Sequence, residues 1–460
     1  MSHVVVIGGG LSGLSAAHRV REREPENEVT VLEASDRTGG ILGTVERDGF
    51  VIETGPDSIL SEKTSAVELA ERLGIADRIV ETRNEHRGAY VVHRGRLVRV
   101  PAGFSLMAPA RWTPWAKTPL ISPAGKLRAA LEVALPRKSG DDESMASFVR
   151  RRFGQELLDR LAQPLVGGIY GGDPDRLSLE ATMPRFVEME REHGSVIRAM
   201  RAKRRRSTEQ AASGARYGLF VAFDRGMQVL IDALTEAVGD VRLNTPVEAL
   251  EVVDDGFRVA TSAGALHADR VIVALPAWRA AKLLAGPVPS VIEGLESIPY
   301  GSAATVTFAW PRAEVPHAMD AFGFVVPAVE RRSILAATFS SVKWPGRAPD
   351  GEVLLRVFIG GENALDAADL DDETLIATSR RELSRLMNIE AAPRFSIVKR
   401  YRRAMPQYQV GHTRRVDAIE HQLARVPGLE LAGNAYRGVG IPDSIRAAEA
   451  AADRLVDKAS

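Results

Sequence analysis

The chain has 460 residues, which is enough for two or three domains of ordinary size. Its 60 basic and 60 acidic side chains cancel, so overall charge does not indicate nucleic acid or another polyanion as a partner. It contains no cysteine, which excludes disulfides, thiolate metal sites and cysteine nucleophiles, and its histidines lack metal-ligand spacing, so no metal is expected.

Residues 1–33 predict a strand, a helix and a second strand. Val4–Ile7 is a continuous apolar run, which is typical of a strand buried on both faces. The segment Gly8–Gly13 then matches G-x-G-x-x-G, and Glu33 ends the second strand. Such glycines allow a tight turn and a close approach to a pyrophosphate, and the carboxylate suits a ribose. This context predicts a dinucleotide-binding fold.

The rest of the chain moves away from this pattern and returns to it. A helix over Ser65–Leu73 and a hairpin over Tyr90–Val92 and Leu97–Val100 come first, and residues 101–215 are helical but irregular. Further predicted elements are a helix over Gly226–Val238, strands over Val241–Leu243, Val247–Val253, Phe257–Thr261 and Arg270–Pro276, second-sheet strands over 302–310 and 353–359, a strand over Leu429–Ala432 and a helix over Ile445–Val456.

No leader with a basic and then an apolar region precedes the first strand, and no run of about 18 apolar residues occurs. We therefore expect a cytoplasmic protein. Residues 101–136 are rich in apolar side chains that charges and prolines interrupt. They predict either an ordinary substrate-side subdomain or a surface peripheral to the inner face of the membrane.

The residues after Glu33 indicate the cofactor. The segment Ala34–Gly40 places Arg37 before two glycines, so the arginine can pair with a phosphate or lock the loop. With the opening motif, it resembles the FAD-binding amine oxidase and protoporphyrinogen oxidase superfamily. The stretch Phe50–Ser58 resembles that family's turn beneath the flavin, and Leu431–Pro442 resembles its C-terminal half. There a helix N-terminus would stabilise the reduced ring.

The resemblance implies FAD that is bound non-covalently. The expected FAD-binding residues are Gly8, Gly9, Gly10, Leu11, Ser12, Gly13, Glu33, Ala34, Arg37, Gly39, Gly40, Gly55, Pro56, Asp57, Ser58, Val247, Gly433, Asn434, Val439, Gly440, Ile441 and Pro442. The implied fold is α/β, the two-dinucleotide-binding-domain flavoprotein fold. Its Rossmann-like FAD-binding domain (1–60, 217–280 and 395–460) is interwoven with a mixed-sheet substrate domain (61–100 and 281–394) and a helical subdomain (101–216).

The segment Gln163–Leu179 resembles the signature of protoporphyrinogen oxidases, which amine oxidases and carotene desaturases lack. This resemblance implies an oxidase of late heme biosynthesis, which converts a porphyrinogen to a porphyrin in three two-electron steps with dioxygen as acceptor. Coproporphyrinogen III is favoured over protoporphyrinogen IX, because soluble bacterial members often take the more carboxylated ring. A glycine-lined wall would let the flat ring approach the flavin closely.

The residues expected to contact the substrate are Arg87, Gly167, Gly168, Phe322 and Val325. The resemblance implies that Arg87 meets a substrate carboxylate and that Phe322 and Val325 sandwich a pyrrole ring. A solvated arginine and ordinary core packing are the alternatives. No catalytic acid or base is assigned, because aromatisation drives the reaction and catalysis is mainly positioning.

Two features leave alternatives open. The basic run Arg198, Arg201, Lys203, Arg204, Arg205 and Arg206 predicts a solvated face, or a surface that attracts an anionic porphyrinogen or anionic lipid. No nucleic acid is expected, because no aromatic residue interleaves the run. The histidines His412 and His421 are predicted to be structural or surface residues.

Two rival functions remain. The first is a flavin amine oxidase or carotenoid desaturase-like oxidoreductase, for which Lys343 and Lys282 would be candidate lysines near the flavin, although no aromatic cage accompanies them. The second is an FAD-containing nucleic-acid-binding protein. The expected partners are the porphyrinogen and dioxygen, with ferrochelatase or a membrane surface as further candidates, and the chain is predicted to be a monomer or a homodimer.

Overall fold

The structure is a computed structural model that describes residues 2–109, 111–138, 140–210, 219–360 and 367–457. For residues 204–210 it describes the backbone alone, so the side chains of Arg204, Arg205 and Arg206 lie outside the described part of the basic run.

A five-stranded parallel sheet forms the first layer. Its strands, in spatial order, are Val241–Arg242, Glu28–Leu32, His3–Ile7, Arg270–Val273 and Leu429–Leu431. Val4 and Val6 belong to the core on one face, and Val5 and Ile7 belong to the core on the other. Both faces of the central strand are therefore buried, as its uninterrupted apolar sequence predicts.

Three helices cover one face of this parallel sheet, and the first of them packs against each of the other two: Leu11–Arg23, Gln228–Val238 and Ile441–Asp457. The opposite face packs against the helices Ala277–Leu283, Ile292–Glu296 and His412–Leu423 and an antiparallel sheet of the strands Val247–Val253, Gly256–Thr261 and Gly264–Ala268. The closing helix begins at Ile441, four residues before its predicted start at Ile445, because Pro442 fits the first turn of a helix, where no intrahelical donor is needed.

A seven-stranded mixed sheet forms the second layer. Its strands, in spatial order, are Phe395–Pro406, Tyr300–Pro311, Glu352–Gly360, Ala336–Phe339, Gly323–Val325, Tyr90–His93 and Arg96–Arg99. Neighbouring strands are antiparallel except for the parallel pair Gly323–Val325 and Tyr90–His93. The helix Asp372–Met387 packs against this sheet, and its buried Leu375 and Leu383 join the sheet's core.

The middle of the chain folds into helices around its own core. They are Trp112–Lys117, Pro123–Ala130, Met145–Phe153, Gln155–Leu157, Gln163–Tyr170, Leu179–Thr182, Pro184–His193 and Val196–Gln210, with a π-helical turn over Leu158–Ala162. Trp115, Phe148 and Phe153 are buried in this core, together with the fully buried ion pair of Arg152 and Glu132. No helix of the described residues is long and apolar enough to cross a membrane.

Short elements connect the layers. The small sheets pair Thr44–Arg47 with Phe50–Glu53, Phe220–Phe223 with both Ile59–Leu60 and Ile79–Glu81, and Phe104–Ser105 with Ala108–Pro109. The remaining α-helices are Ser65–Arg72 and Ser340–Lys343, and the 3-10 turns are Ala76–Arg78, Asn84–His86, Leu131–Ala134, Pro289–Val291, Arg312–Glu314 and Ala328–Glu330.

The predicted division into domains stays a prediction, and the sheets divide the chain slightly differently. Phe395–Pro406, predicted with the FAD-binding segments, pairs with Tyr300–Pro311 at the edge of the mixed sheet. Ile79–Glu81, predicted with the substrate domain, pairs with Phe220–Phe223 beside the parallel sheet's helices. Strand partners are set by contacts between distant segments, and a local pattern does not contain that information.

Buried cations of the mixed sheet reach the segment 53–58. The Arg347 guanidinium lies 3.2 Å from Glu53 and donates to the Phe223 and Asp224 carbonyls. Both partners lose their hydration, so burial raises the pKa of Glu53 and lowers the pKa of Arg347. Their mutual attraction joins the two layers in a region with little water.

We predict that Arg347→Met lowers the free energy of unfolding by about 3–5 kcal/mol, because it leaves a buried carboxyl without its cation. The pKa of the Glu53 carboxyl then rises further. Because the unfolded chain releases this proton at a lower pH than the folded chain, stability falls as the pH rises. The loss in the free energy of unfolding is therefore larger at about pH 8 than at about pH 5. Urea unfolding at both pH values measures the free energy of unfolding. The control is Arg225→Met, whose pair with Glu46 is exposed on both sides (57% and 52%) and contributes about 0–1 kcal/mol. Equal losses in the two variants would contradict the prediction.

Candidate functional site

The first glycine turn lies at the carboxyl end of the central parallel strand. Gly8 has a φ of +112°, and a Cβ on it would lie 2.6 Å from the Ala274 carbonyl oxygen. A Cβ on Gly13 would lie 1.8 Å from the Gly8 carbonyl oxygen, so the helix packs against the turn at a distance that glycine alone permits. Around Gly10 the nearest atom to such a Cβ is Gly40 Cα at 3.9 Å. The turn therefore presents open space before a helix N-terminus.

The N-terminus of the helix that begins with Leu11 and Ser12 suits an anion. Its first turn contains no acidic residue, and no side chain of the described residues caps it. The unpaired N–H groups and the helix dipole therefore face the space around Gly10. A pyrophosphate at this position would supply the missing acceptors.

Glu33 is fixed beside this turn. One carboxylate oxygen accepts the Gly9 N–H at 2.7 Å, and the other accepts the N–H and hydroxyl of Ser35 at 2.8 and 2.7 Å. The oxygen that accepts only the Gly9 N–H keeps capacity for another donor such as a ribose hydroxyl. The turn before Val247 lies alongside, because Thr245 N–H donates to the Glu33 carbonyl at 2.8 Å.

Arg37 locks its own loop. Its guanidinium donates to the carbonyls of Thr38 and Leu42, both at 2.9 Å, and to that of Gly40. Of the two roles that the sequence left open, the structure shows the loop lock. Gly39 donates its N–H to the Gly9 carbonyl at 2.8 Å, so the locked loop lies against the first glycine turn, while Ala34 is exposed.

The turn over residues 55–58 is held from the mixed sheet. Arg356 donates to the Gly55 carbonyl at 2.5 Å, and Lys343 Nζ lies 3.1 Å from Asp57 and donates to the Ser58 hydroxyl at 2.5 Å. Burial alone would raise the pKa of Asp57, but Lys343 and Arg356 outweigh it and lower that pKa to about 2. Pro56 remains exposed.

This arrangement bears on the amine oxidase alternative. Lys343, a candidate for a lysine near the flavin, is half-buried and paired with Asp57. Lys282, the other candidate, is exposed near Trp278. Among the described residues no group of histidines and carboxylates could hold a metal ion.

The C-terminal turn completes this edge. Gly433 follows the strand Leu429–Leu431 with a φ of +142°, and the closing helix begins at Ile441 after Val439 and Gly440. Lys63 pairs with Asp443 in the helix's first turn, and the Ser65 hydroxyl donates to the Pro442 carbonyl at 2.6 Å. Residues 63–65 therefore fix the start of this helix.

These segments fit FAD. The first turn, the Glu33 loop and the C-terminal turn all follow strands of the parallel sheet at the same edge, and the locked loop joins them to the 55–58 turn. This is where doubly wound folds bind dinucleotides. The glycine turn leaves room for a pyrophosphate, and Glu33 faces the adjoining loop. The sequence predicts these residues as FAD-binding, and that assignment stays a prediction, whereas the roles of Arg347 and Arg356 were not predicted.

The predicted substrate residues lie at another place, where two contacts place four of them in pairs. Gly167 and Gly168 lie in the helix Gln163–Tyr170, called the glycine helix below, and a Cβ on Gly168 would lie 3.8 Å from Val325 Cγ1. Phe322 donates its N–H to the Gly88 carbonyl at 2.9 Å, which places it beside Arg87. Arg87 is exposed, and its guanidinium has no hydrogen bond or ion pair within the described residues.

Other predicted features lie elsewhere or in the core. Arg198, Arg201 and Lys203 are exposed on a helix that packs against Ala108–Pro109, and Arg201 stacks over Trp112 at 5.3 Å. His412 is buried, and its Nε2 lies 3.0 Å from the Tyr436 carbonyl. Burial lowers the pKa of His412 to about 4, so it is neutral at physiological pH.

The fold and the glycine-lined edge define a dinucleotide-binding flavoprotein. A family model described as flavin containing amine oxidoreductase matches residues 11–456, and the chain belongs to this family. The coproporphyrinogen III oxidase of Bacillus subtilis (strain 168) is 36% identical and covers 98% of this chain and 97% of the relative. That of Staphylococcus aureus (strain NCTC 8325 / PS 47) is 34% identical, with 98% of each chain covered.

A solved structure supports the same conclusion. A protein from Exiguobacterium sp. 255-15, provisionally named a protoporphyrinogen oxidase, superposes with a TM-score of 0.88 at 31% identity, and the match covers 99% of this chain and 98% of that one. The predicted fold class, the family resemblance and FAD as the cofactor are thereby confirmed.

We expect Glu33→Ala to weaken FAD binding by about 1–3 kcal/mol, the scale of a hydrogen bond to a charged group. Titration of FAD into FAD-free protein measures the dissociation constant, and thermal unfolding of the FAD-free form reports any loss of stability. Glu28→Ala is the control, because Glu28 is exposed on the same strand, with 63% of its side chain accessible. Equal FAD affinity in the variant and the wild type would remove Glu33 from the site.

Replacements at Gly168 test the glycine wall. Gly168→Ala adds a methyl at an ordinary contact distance from Val325 and should be tolerated, whereas Gly168→Leu fills the space in front of it. We expect Gly168→Leu to keep FAD and the flavin absorbance and to lose most porphyrinogen oxidation. Aerobic assays of both variants measure this. If Gly168→Leu is as active as Gly168→Ala, the glycine helix does not line the substrate site.

Proposed function

We propose that the protein is an FAD-dependent oxidase of coproporphyrinogen III, with protoporphyrinogen IX as a second substrate. The observation that carries the proposal is the glycine helix facing Val325, with Phe322 of the same stretch bonded to Gly88 next to Arg87, whose exposed guanidinium has no partner among the described residues. A flat macrocycle needs a wall without side chains, and its carboxylates need a cation. The two curated relatives named above are coproporphyrinogen III oxidases, which supports the choice of ring.

The chain's own residues act by position. Gly167 and Gly168 leave space for the ring, Phe322 and Val325 supply apolar contact, and Arg87 offers a bidentate donor to a carboxylate. FAD, when bound, supplies the two-electron acceptor. The reaction needs no further acid or base from the protein, because formation of the aromatic porphyrin drives it.

Dioxygen as the final acceptor is part of this proposal, and oxygen uptake during turnover tests it. Ferrochelatase as a partner, and a monomer or homodimer as the assembled state, stay predictions. A stoichiometric rise in oxygen consumption with porphyrin fluorescence would support dioxygen, whereas turnover that needs an added quinone would contradict it.

We also propose that residues 101–136 rest on an anionic membrane surface. Leu127 and Leu131 lie one helical turn apart, with 65% and 50% of their surfaces exposed. Exposed Arg111 and Lys117 lie in the same segment. Exposed leucines with nearby cations suit the boundary between lipid headgroups and acyl chains. Co-sedimentation with anionic vesicles tests this, and binding that Leu127→Ser does not weaken would contradict it.

The substrate choice has its own test. Coproporphyrinogen III has two more carboxylates than protoporphyrinogen IX, and salt screens exposed charges. We therefore expect faster turnover of coproporphyrinogen III at low salt and a larger loss of that rate as salt rises. Porphyrin fluorescence in aerobic assays measures both rates. A preference for protoporphyrinogen IX at low salt, without a salt effect on either ring, would reverse the choice and leave the family unchanged.

A further inference from the structure

The segment 405–411, called the coupling segment below, connects the edge strand Phe395–Pro406 to the helix His412–Leu423. It contacts both the chain around the glycine helix and the C-terminal turn. Its central side chains, Gln407 and Tyr408, are absent from the sets proposed to bind FAD or substrate. Each of the two contacts a different part of the site.

Gln407 holds the end of the glycine helix. Its side-chain amide donates to the Tyr170 carbonyl at 3.0 Å and to the Met405 carbonyl at 3.1 Å. Its oxygen lies 1.9 Å from the position of a Cβ on Gly172, so it touches the backbone there. Tyr170 is the last residue of the glycine helix. Gln407 therefore fixes the point at which this helix ends and the chain turns away.

Backbone bonds strengthen this contact. Ser178 N–H donates to the Tyr408 carbonyl at 2.7 Å, and Val410 N–H donates to the Arg176 carbonyl at 2.9 Å. Leu177 and Gln409 form a bridge between the same two stretches. The coupling segment and the chain after the glycine helix are therefore joined by backbone bonds as well as by Gln407.

Tyr408 points to the C-terminal turn. Its hydroxyl donates to the Asn434 carbonyl at 2.6 Å and accepts the Gly438 N–H at 2.8 Å. Asn434 and Gly438 stand at the two ends of the turn before the closing helix. Burial raises the pKa of the Tyr408 phenol, so its proton stays in place for the bond to Asn434. One hydroxyl thus bridges a turn proposed to face the flavin.

His412 supports this tyrosine. The two rings stack with centroids 3.8 Å apart and planes 13° apart, and both residues are nearly fully buried. His412 Nε2 also lies 3.0 Å from the Tyr436 carbonyl, inside the same turn. The stacked His412 ring therefore holds the Tyr408 phenol in one orientation.

We infer that Gln407 and Tyr408 are positioning residues that set the distance between the substrate wall and the flavin. Gln407 places the wall, Tyr408 places the C-terminal turn, and adjacent positions on one backbone fix the two relative to each other. Hydride transfer requires close approach and good alignment, so this separation affects the rate. The Gln407 half rests on the proposed function, and the Tyr408 half rests on FAD binding alone.

Two conservative variants separate the roles. Tyr408→Phe keeps the stacked ring but leaves Asn434 and Gly438 unpaired. We expect the FAD dissociation constant to rise about tenfold, with KM for coproporphyrinogen III changed by less than about twofold. The midpoint potential of bound FAD should fall, because the N-terminus of the closing helix moves away from the reduced ring. Gln407→Met should raise KM about tenfold and change FAD affinity and potential by less than about twofold.

Controls come from the same region. Tyr300→Phe removes a hydroxyl of the mixed sheet that accepts the N–H of Ala277 at the start of the helix Ala277–Leu283. Gln409→Met removes an amide that pairs with exposed Arg176. Both should leave KM and FAD affinity unchanged. If Tyr408→Phe or Gln407→Met folds poorly, His412→Phe and Gln407→Glu replace them, with the same parameters expected to change.

The turnover number kcat should fall in both variants, because both change the separation between the substrate wall and the flavin. The inference is overturned if kcat is unchanged, if Tyr408→Phe and Gln407→Met shift the same one of KM and FAD affinity, or if either variant matches its control. If the wild type oxidises neither porphyrinogen, the proposed function fails and the Gln407 half fails with it. FAD affinity and potential then still decide the Tyr408 half. The two failures are therefore distinguishable.

Discussion

Three cations from the mixed sheet and its connections, of which Arg347 and Arg356 are buried and Lys343 is half-buried, hold the segment 53–58, and the arrangement of the two layers depends on them. Lys343, Arg347 and Arg356 come from a helix, a loop and a strand of that sheet, yet they converge on neighbouring residues of the other layer. Charges in a region with little water need partners in fixed positions. Loss of one partner would leave a charged or polar group without its contact, so these contacts specify one arrangement of the two sheets.

The segment 53–58 and these contacts lie beside the glycine-rich edge of the parallel sheet. The first turn is formed by close packing at Gly8 and Gly13, whereas the 55–58 turn is formed by side chains that arrive from elsewhere. The FAD site therefore depends both on packing within one short stretch of chain and on contacts between distant segments. The proposed substrate site is entirely long-range, since Gly168, Val325 and Arg87 belong to three distant stretches of chain.

The glycine helix illustrates how such a site stays open. A π-helical turn over Leu158–Ala162 precedes it, and Arg160 in this turn pairs with Glu330 at 2.8 Å. Gln163 accepts the Ala328 N–H at 3.0 Å. These contacts fix the start of the helix, and Gln407 fixes its end. A helix with exposed glycines gains little from packing at its middle, so anchors at both ends compensate.

The sequence by itself determined the dinucleotide-binding turn, Glu33 and the buried central strand, because those depend on local spacing and on a periodicity that a single stretch displays. It also indicated the family through the segments 34–40 and 163–179. Tertiary structure decided that Arg37 locks its loop, that Phe395–Pro406 joins the mixed sheet and that Gln407 and Tyr408 contact two different segments. Those outcomes depend on partners far away in the chain, which no local pattern specifies.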